Sequence, residues 1–154
     1  MKKTPYIILF TILILLAFNI SSAVAEMVSI KGNDINMRSG PGKKYKVLWK
    51  LGDGFPLKVL KRSGSWMRVQ DFEGTIGWVH KGVVNRTPHM IVKVHKKTKK
   101  QINVRTGAGT NKRIVAKAYY GVVFKTIAQK NGWVQVSHGE KVSGWVKRSL
   151  LWGF

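Results

Sequence analysis

Two arginines and four tryptophans recur in this chain at a fixed spacing, and their side chains could bind an anion or a flat ligand. Arg38 lies in Asn36-Met37-Arg38-Ser39-Gly40-Pro41-Gly42, and Arg105 lies in Asn103-Val104-Arg105-Thr106-Gly107-Ala108-Gly109, 67 residues later. The same shift carries Gly54 onto Gly121, Trp66 onto Trp133, and Gly77-Trp78-Val79 onto Gly144-Trp145-Val146. A guanidinium takes a carboxylate or phosphate through two parallel hydrogen bonds. An indole offers a rigid apolar platform with one polar handle. For Arg38 and Arg105, ligand binding competes with a scaffold role in which the side chain ties the following loop to the fold. The repeated Asn-x-Arg context favours the scaffold. Trp66 and Trp133 each open a strand after a turn, where an indole either faces a ligand at the rim or fills the core. Trp78 and Trp145, each between glycine and valine, are expected in the core. Trp49 and Trp152 have no counterpart in the other copy and are expected between the two.

The chain offers little for catalysis. His80, His89, His95 and His138 are scattered without metal-ligand spacing. Of the six acids, Glu73 and Glu140 are equivalent, while Asp71 is matched by His138. Hydrolysis needs paired carboxylates or a nucleophile with its base, and neither is supplied in both copies. The chain lacks cysteine, which closes thiol catalysis, disulfides and Cys-based zinc sites. No enzyme activity, metal or cofactor is expected.

Charge dominates the composition. Lys and Arg number 28 against 6 Asp and Glu, a net charge of +22. Residues 26–89 hold 12 basic and 5 acidic side chains, and residues 90–154 hold 14 and 1. Such a field speaks of polyanionic partners. The basic turn Lys96-Lys97-Thr98-Lys99-Lys100 has no match in the first copy. It reads either as a solvated turn or as the centre of an anion-attracting face formed by Lys96, Lys97, Lys99 and Lys100.

These side chains need strands to position them. Residues 27–30, 35–38, 47–51, 55–61, 66–69 and 75–79 read as short strands separated by turn residues, and the pattern repeats in the second copy. In residues 55–61, Phe55, Leu57 and Val59 share one face. The glycines of residues 40–42 suggest positive φ or close backbone packing. Short strands at this spacing indicate a small barrel or sandwich. A unit under sixty residues buries only about 60% of its unfolded surface, so the tryptophans are expected to contribute to its core. Residues 150–154 read as a packing tail. Before the first copy, Met1-Lys2-Lys3, the apolar run 6–18 and Ala23-Val24-Ala25 have the layout of a secretory signal peptide cleaved after Ala25. The run is short of the roughly 20 apolar residues a membrane span needs. The organisation is a signal peptide at 1–25, a first domain at 26–85, a linker at 86–89 and a second domain at 90–154. The linker is too short for wide swinging, so the copies should touch.

The ordered landmarks resemble the bacterial SH3 domain pattern. They are Asn36 to Gly42, Gly54, Ser65-Trp66-Met67-Arg68-Val69 and Gly77-Trp78-Val79, with a second set at Asn103 to Gly109, Gly121, Gly132-Trp133-Val134-Gln135-Val136 and Gly144-Trp145-Val146. The resemblance covers nearly all of residues 26–154. It implies an all-β chain of two tandem small SH3-like β-barrels, of a kind common in exported proteins as modules that target cell-wall peptidoglycan. The resulting expectation is a monomeric, non-catalytic binder that is exported, either periplasmic or secreted, with no membrane span after cleavage. Its partner is expected to be peptidoglycan or another anionic envelope polymer, and not nucleic acid. The alternatives are an adaptor for an acidic protein and a peripheral binder of anionic lipid or lipopolysaccharide.

Overall fold

The computed structural model describes residues 25–154; the proposed signal peptide, apart from Ala25, lies outside them. The first copy contains β1 (Met27–Ile30), β2 (Ile35–Arg38), β3 (Val47–Leu51), β4 (Pro56–Ser63), β5 (Trp66–Gln70), β6 (Ile76–His80) and β7 (Val84–Asn85). The second contains β8 (His89–Val92), β9 (Ile102–Arg105), β10 (Ile114–Ala118), β11 (Val123–Lys130), β12 (Trp133–His138), β13 (Val142–Lys147) and β14 (Leu151–Gly153). One 3-10 turn precedes the last strand of each copy, at Lys81–Val83 and Arg148–Leu150. The strand orders are β3-β2-β6-β5-β4-β1-β7 and β10-β9-β13-β12-β11-β8-β14. The second order is the first with every index raised by seven. Among the described residues, no helix is long and apolar enough to cross a membrane.

Each sheet curls around its own core. Val28, Ile30, Met37, Leu51, Leu57, Met67, Val69 and Val79 fill the first. The second is built from equivalent positions, with Phe124 where the first has Leu57, and gains Leu151 from β14. Residues 150–154 are therefore largely a paired edge strand and not just a packing tail. The Phe55, Leu57 and Val59 face points to the core as expected. Alternation then breaks at Leu60, the extra residue of a bulge between the Val59 and Lys61 pairs. Ile127 is the same bulge in the second copy.

The tryptophans are not in the core. Successive strand residues point to opposite faces, so of two neighbours only one can point inward. Val79 and Val146, both fully buried, hold the inward positions next to Trp78 and Trp145. Met67 and Val134 do the same next to Trp66 and Trp133. All four tryptophans lie half-buried on the outer face. The expectation that Trp78 and Trp145 fill the core is therefore overturned, and Val and Met carry that packing.

The glycine before each of these tryptophans has a steric role. A Cβ on Gly144 would lie 2.6 Å from the Arg105 carbonyl oxygen and 2.7 Å from Val104 Cγ1, and one on Gly77 would lie 2.6 Å from Met37 Cγ. The bare backbone lets β9 cross close over β13, and β2 over β6. Gly40 likewise allows close packing, in this case by the Tyr45 ring, and not positive φ.

The copies touch, as the short linker requires. Ser29, opposite in parity to Val28 and Ile30, is fully buried, and its Oγ donates to the Thr87 carbonyl at 2.8 Å. Ile91, opposite in parity to Met90 and Val92, is also buried. β4 packs on β8 and β14. Pro88 is already held by the second sheet, its carbonyl accepting from Thr126 N at 2.9 Å.

Gly144→Ala should destabilise the protein by about 1–3 kcal/mol, the usual cost of overpacking. The backbone oxygen facing the new methyl cannot rotate away. Gly77→Ala should cost less, because the flexible Met37 side chain can move. Thermal melts of the two variants check the order.

Candidate functional site

Register determines which side chains share the outer face. Trp78 stands between Arg68 on β5 and Arg38 on β2, and Trp66 stands opposite His80. The Trp66 indole and the His80 ring meet edge to face at 5.5 Å. In the second copy Trp145 stands between Gln135 and Arg105, and Trp133 stands opposite Lys147. Each barrel thus presents two tryptophans, one motif arginine and further basic or amide side chains on three adjacent strands. In the second copy the structure brings Arg105 and Trp133 into the lining of one pocket. In the first, Arg38 stands across from Trp78 and Trp66 across from His80, so those two motif residues are not paired directly.

The arginines also hold a loop. Arg38 Nη1 donates to the carbonyls of Lys43 at 3.0 Å and Tyr45 at 2.9 Å. Arg105 Nη1 donates to the Lys112 carbonyl at 2.7 Å. Backbone bonds close the same loops, from Ser39 N to Lys46 O and from Thr106 N to Arg113 O, each at 2.9 Å. The scaffold role occupies Nη1. A guanidinium has five N–H donors, so loop tethering leaves others for a ligand.

The second copy shapes its face into a pocket of about 200 Å³, lined by His95, Gln101, Ile102, Asn103, Arg105, Thr110, Trp133, Lys147 and Leu150. The sequence pointed to Arg105 and Trp133 but not to His95, Lys147, Thr110 or Leu150, which reach the pocket from other strands and turns. Lys147 was available to a register argument, since it lies directly across the β12–β13 hairpin from Trp133. His95 was not. It comes from the segment between β8 and β9, which is nine residues long where the segment between β1 and β2 has four. His95 sits there with φ +68°, in the left-handed region that histidine enters more readily than most residues.

The same insertion carries the basic turn, which divides in two. Lys96 is exposed, and its Nζ bonds Glu73 of the first copy at 2.6 Å, so its charge is paired. Tyr120 Oη donates a short hydrogen bond to the other Glu73 oxygen. The Tyr120 ring also packs on Phe72 at 5.2 Å, and Phe72 on Phe55 at 5.9 Å. Lys97, Lys99 and Lys100 are exposed. The hydrogen bonds from Lys96 and then Tyr120 hold the Glu73 carboxyl below its usual value of 4.5. Burial and the adjacent carboxylate push the Tyr120 phenol up.

The unmatched tryptophans separate. Trp152 lines a cleft of about 880 Å³ between the copies, together with Met27, Lys58, Arg86, Lys93 and Arg148. Trp49 is 55% exposed on the edge strand β3 and is not between the copies. The cleft is larger than the motif pocket, but part of its charge is already used. Arg86 pairs with Glu26 at 3.1 Å, and Arg148 Nη1 donates to the Leu151 carbonyl at 3.0 Å.

Two small β-barrels in tandem, each with a glycine-spaced Trp–Arg face, define a duplicated small all-β domain. The chain belongs to the bacterial SH3 domain family, which it matches over residues 31–85 and 98–153. It is 26% identical over 150 residues to a protein of Bacillus subtilis (strain 168) that bears the name N-acetylmuramoyl-L-alanine amidase YrvJ. That match covers 94% of this chain and 29% of the relative. A 62-residue stretch is 36% identical to a Staphylococcus epidermidis protein named as the cell wall amidase LytH, covering 40% of this chain and 21% of the relative. The chain thus spans less than a third of the curated relatives it matches. A solved structure, NlpC2 from Trichomonas vaginalis, aligns with a TM-score of 0.37 at 10% identity, over 87% of this chain and 50% of that one.

A carboxylate whose folded-state pKa is depressed stabilises the fold above its unfolded value, and loses that contribution as pH falls through the folded value. Acidification below the ordinary glutamate range should therefore weaken the contact between the copies. Glu73→Gln should flatten the acid limb of the stability profile, measured as melting temperature from pH 7 down to pH 3. Trp133→Ala should cost less than about 2 kcal/mol, because the ring is outside the core, where Trp→Ala typically costs 3–5; a thermal melt checks this.

Proposed function

We propose that this protein is a non-catalytic binding module of the bacterial envelope, and that its ligand is peptidoglycan. The observation that carries the reading is the outward placement of all four motif tryptophans beside Arg38 and Arg105. Large aromatics left half-exposed next to cations cost solubility and contribute little to the core, and a ligand surface accounts for them. The family and the cell-wall names of the two relatives support the choice of ligand. Because the matches cover only 29% and 21% of those relatives, their named activity is not assigned to this chain.

A binding role without catalysis fits the use made of the acidic side chains. Asp71 Oδ1 accepts from Glu73 N at 2.9 Å and Thr75 N at 2.8 Å, which shapes a turn. Glu73 joins the copies, Glu26 pairs with Arg62 at 2.6 Å, and Asp53 accepts from Gly32 N at 2.7 Å. None of these four pairs with a second carboxylate or a nucleophile. Export through the N-terminal leader would bring the module to the wall, in a periplasmic or secreted location.

Purified sacculi should co-sediment the protein at both low and high salt. Charge attraction between exposed groups is screened within about 10 Å at 0.1 M salt and about 3 Å at 1 M, so retention at high salt requires shape recognition. Release at high salt would overturn the reading in favour of an anionic lipid or lipopolysaccharide surface. Saturable capture by one acidic protein, with no sacculus binding, would favour the adaptor. Lys97→Glu with Lys100→Glu should weaken retention at low salt only, with the melt shifted by no more than a few degrees, since both side chains are exposed.

A further inference from the structure

We infer that the two copies are not equivalent sites, and that the second carries a pocket for the terminal carboxylate of a short peptide. The chemistry follows from the lining alone; taking that carboxylate to be a peptidoglycan stem-peptide end rests on the wall-binding reading above.

Arg105, Lys147 and His95 line one small pocket whose lining contains no carboxylate. The second copy's single acid, Glu140, lies in the turn between β12 and β13, at the opposite end of the hairpin from the Trp133–Lys147 pair. At about 3.3 Å per residue the intervening strand places it well over 10 Å away. The lining supplies no carboxylate to balance the Arg105 and Lys147 charges. Glu73 of the first copy, which approaches through Lys96, is already paired with it. An anionic ligand would balance the two cations. Arg105 retains donors beyond the Nη1 that tethers the loop, and two of them can meet a carboxylate in parallel.

The remaining lining specifies the rest of the ligand. Trp133 and Leu150 supply apolar walls against which a methyl-sized side chain can pack. Gln101, Asn103 and Thr110 supply donors and acceptors for a peptide group. A volume of about 200 Å³ equals that of roughly seven waters. That suits the last residue of a peptide with its carboxylate, and is too small to enclose a glycan chain.

The first copy cannot reproduce this arrangement. The segment between β1 and β2 lacks the insertion that supplies His95. His80 stands where Lys147 does, already packed on Trp66 at 5.5 Å. Asp34 occupies the position of Gln101, and its charge would repel a carboxylate.

The test is titration of the whole protein with N-acetyl-D-alanyl-D-alanine and with its C-terminal amide, followed by tryptophan fluorescence or calorimetry. The acid should bind about tenfold tighter or more, the worth of one charge-assisted hydrogen bond. Lys147→Gln should remove most of that preference, while His80→Gln, its first-copy counterpart, should leave it unchanged. Equal affinity for acid and amide, binding of neither, or an equal loss in both variants would overturn the carboxylate pocket. Sacculus retention is read in parallel. Retention without acid preference overturns this inference alone, whereas acid preference without retention overturns the wall as ligand and leaves the pocket standing.

Discussion

Most of this structure depends on one close crossing made twice, β2 over β6 and β9 over β13. Each crossing is possible because the crossed strand presents a glycine where any side chain would strike its neighbour. Placing that glycine also sets strand parity. Valine, two residues on, must face the core, and the tryptophan between them must face outward. The crossing strand ends in the motif arginine, so the same contact places guanidinium beside indole. Core, outer face and loop anchor all follow from it.

Duplication would by itself give two copies of one site. What distinguishes them is the longer segment between β8 and β9. It projects far enough to do two things: Lys96 reaches Glu73 in the first copy, and His95 closes one side of the second copy's pocket. The contact between the domains and the shape of the pocket therefore share a physical origin. The copies are further joined by apolar and hydroxyl groups on the faces of β1 and β8 that point away from the cores. For domains this small, whose own cores are marginal, burying Ser29 and Ile91 between them adds area that neither copy has alone.

The charge balance acts on a different scale. Lysines spread over exposed strands and turns raise the local concentration of any polyanion, and salt screens them. The arginine–tryptophan faces act at contact distance, where stacking and fixed donors discriminate between ligands. Four of the six acids are spent on turns and pairs, which leaves the field of the second copy nearly uncompensated.

The sequence by itself determined the repeat, most strand spans to within a residue or two, and the tandem all-β architecture; it ran the first strand of the second copy on to His95, where the structure ends it at Val92. Those rest on periodicity and turn chemistry, which are local. It also pointed to Arg38, Arg105, Trp66 and Trp133 as residues that belong together. Tertiary structure decided the rest. Trp78 and Trp145 went outward because a valine next to each had the stronger claim on the inward position, a choice that depends on what crosses the strand. Leu60 and Ile127 broke alternation through bulges that only pairing reveals. Lys96 paired with Glu73 across the two copies, and Trp49 and Trp152 parted company, because contacts between domains leave no periodic trace. The pocket needed Lys147 from across a hairpin and His95 from an inserted turn, two positions whose meeting depends on how the barrel closes.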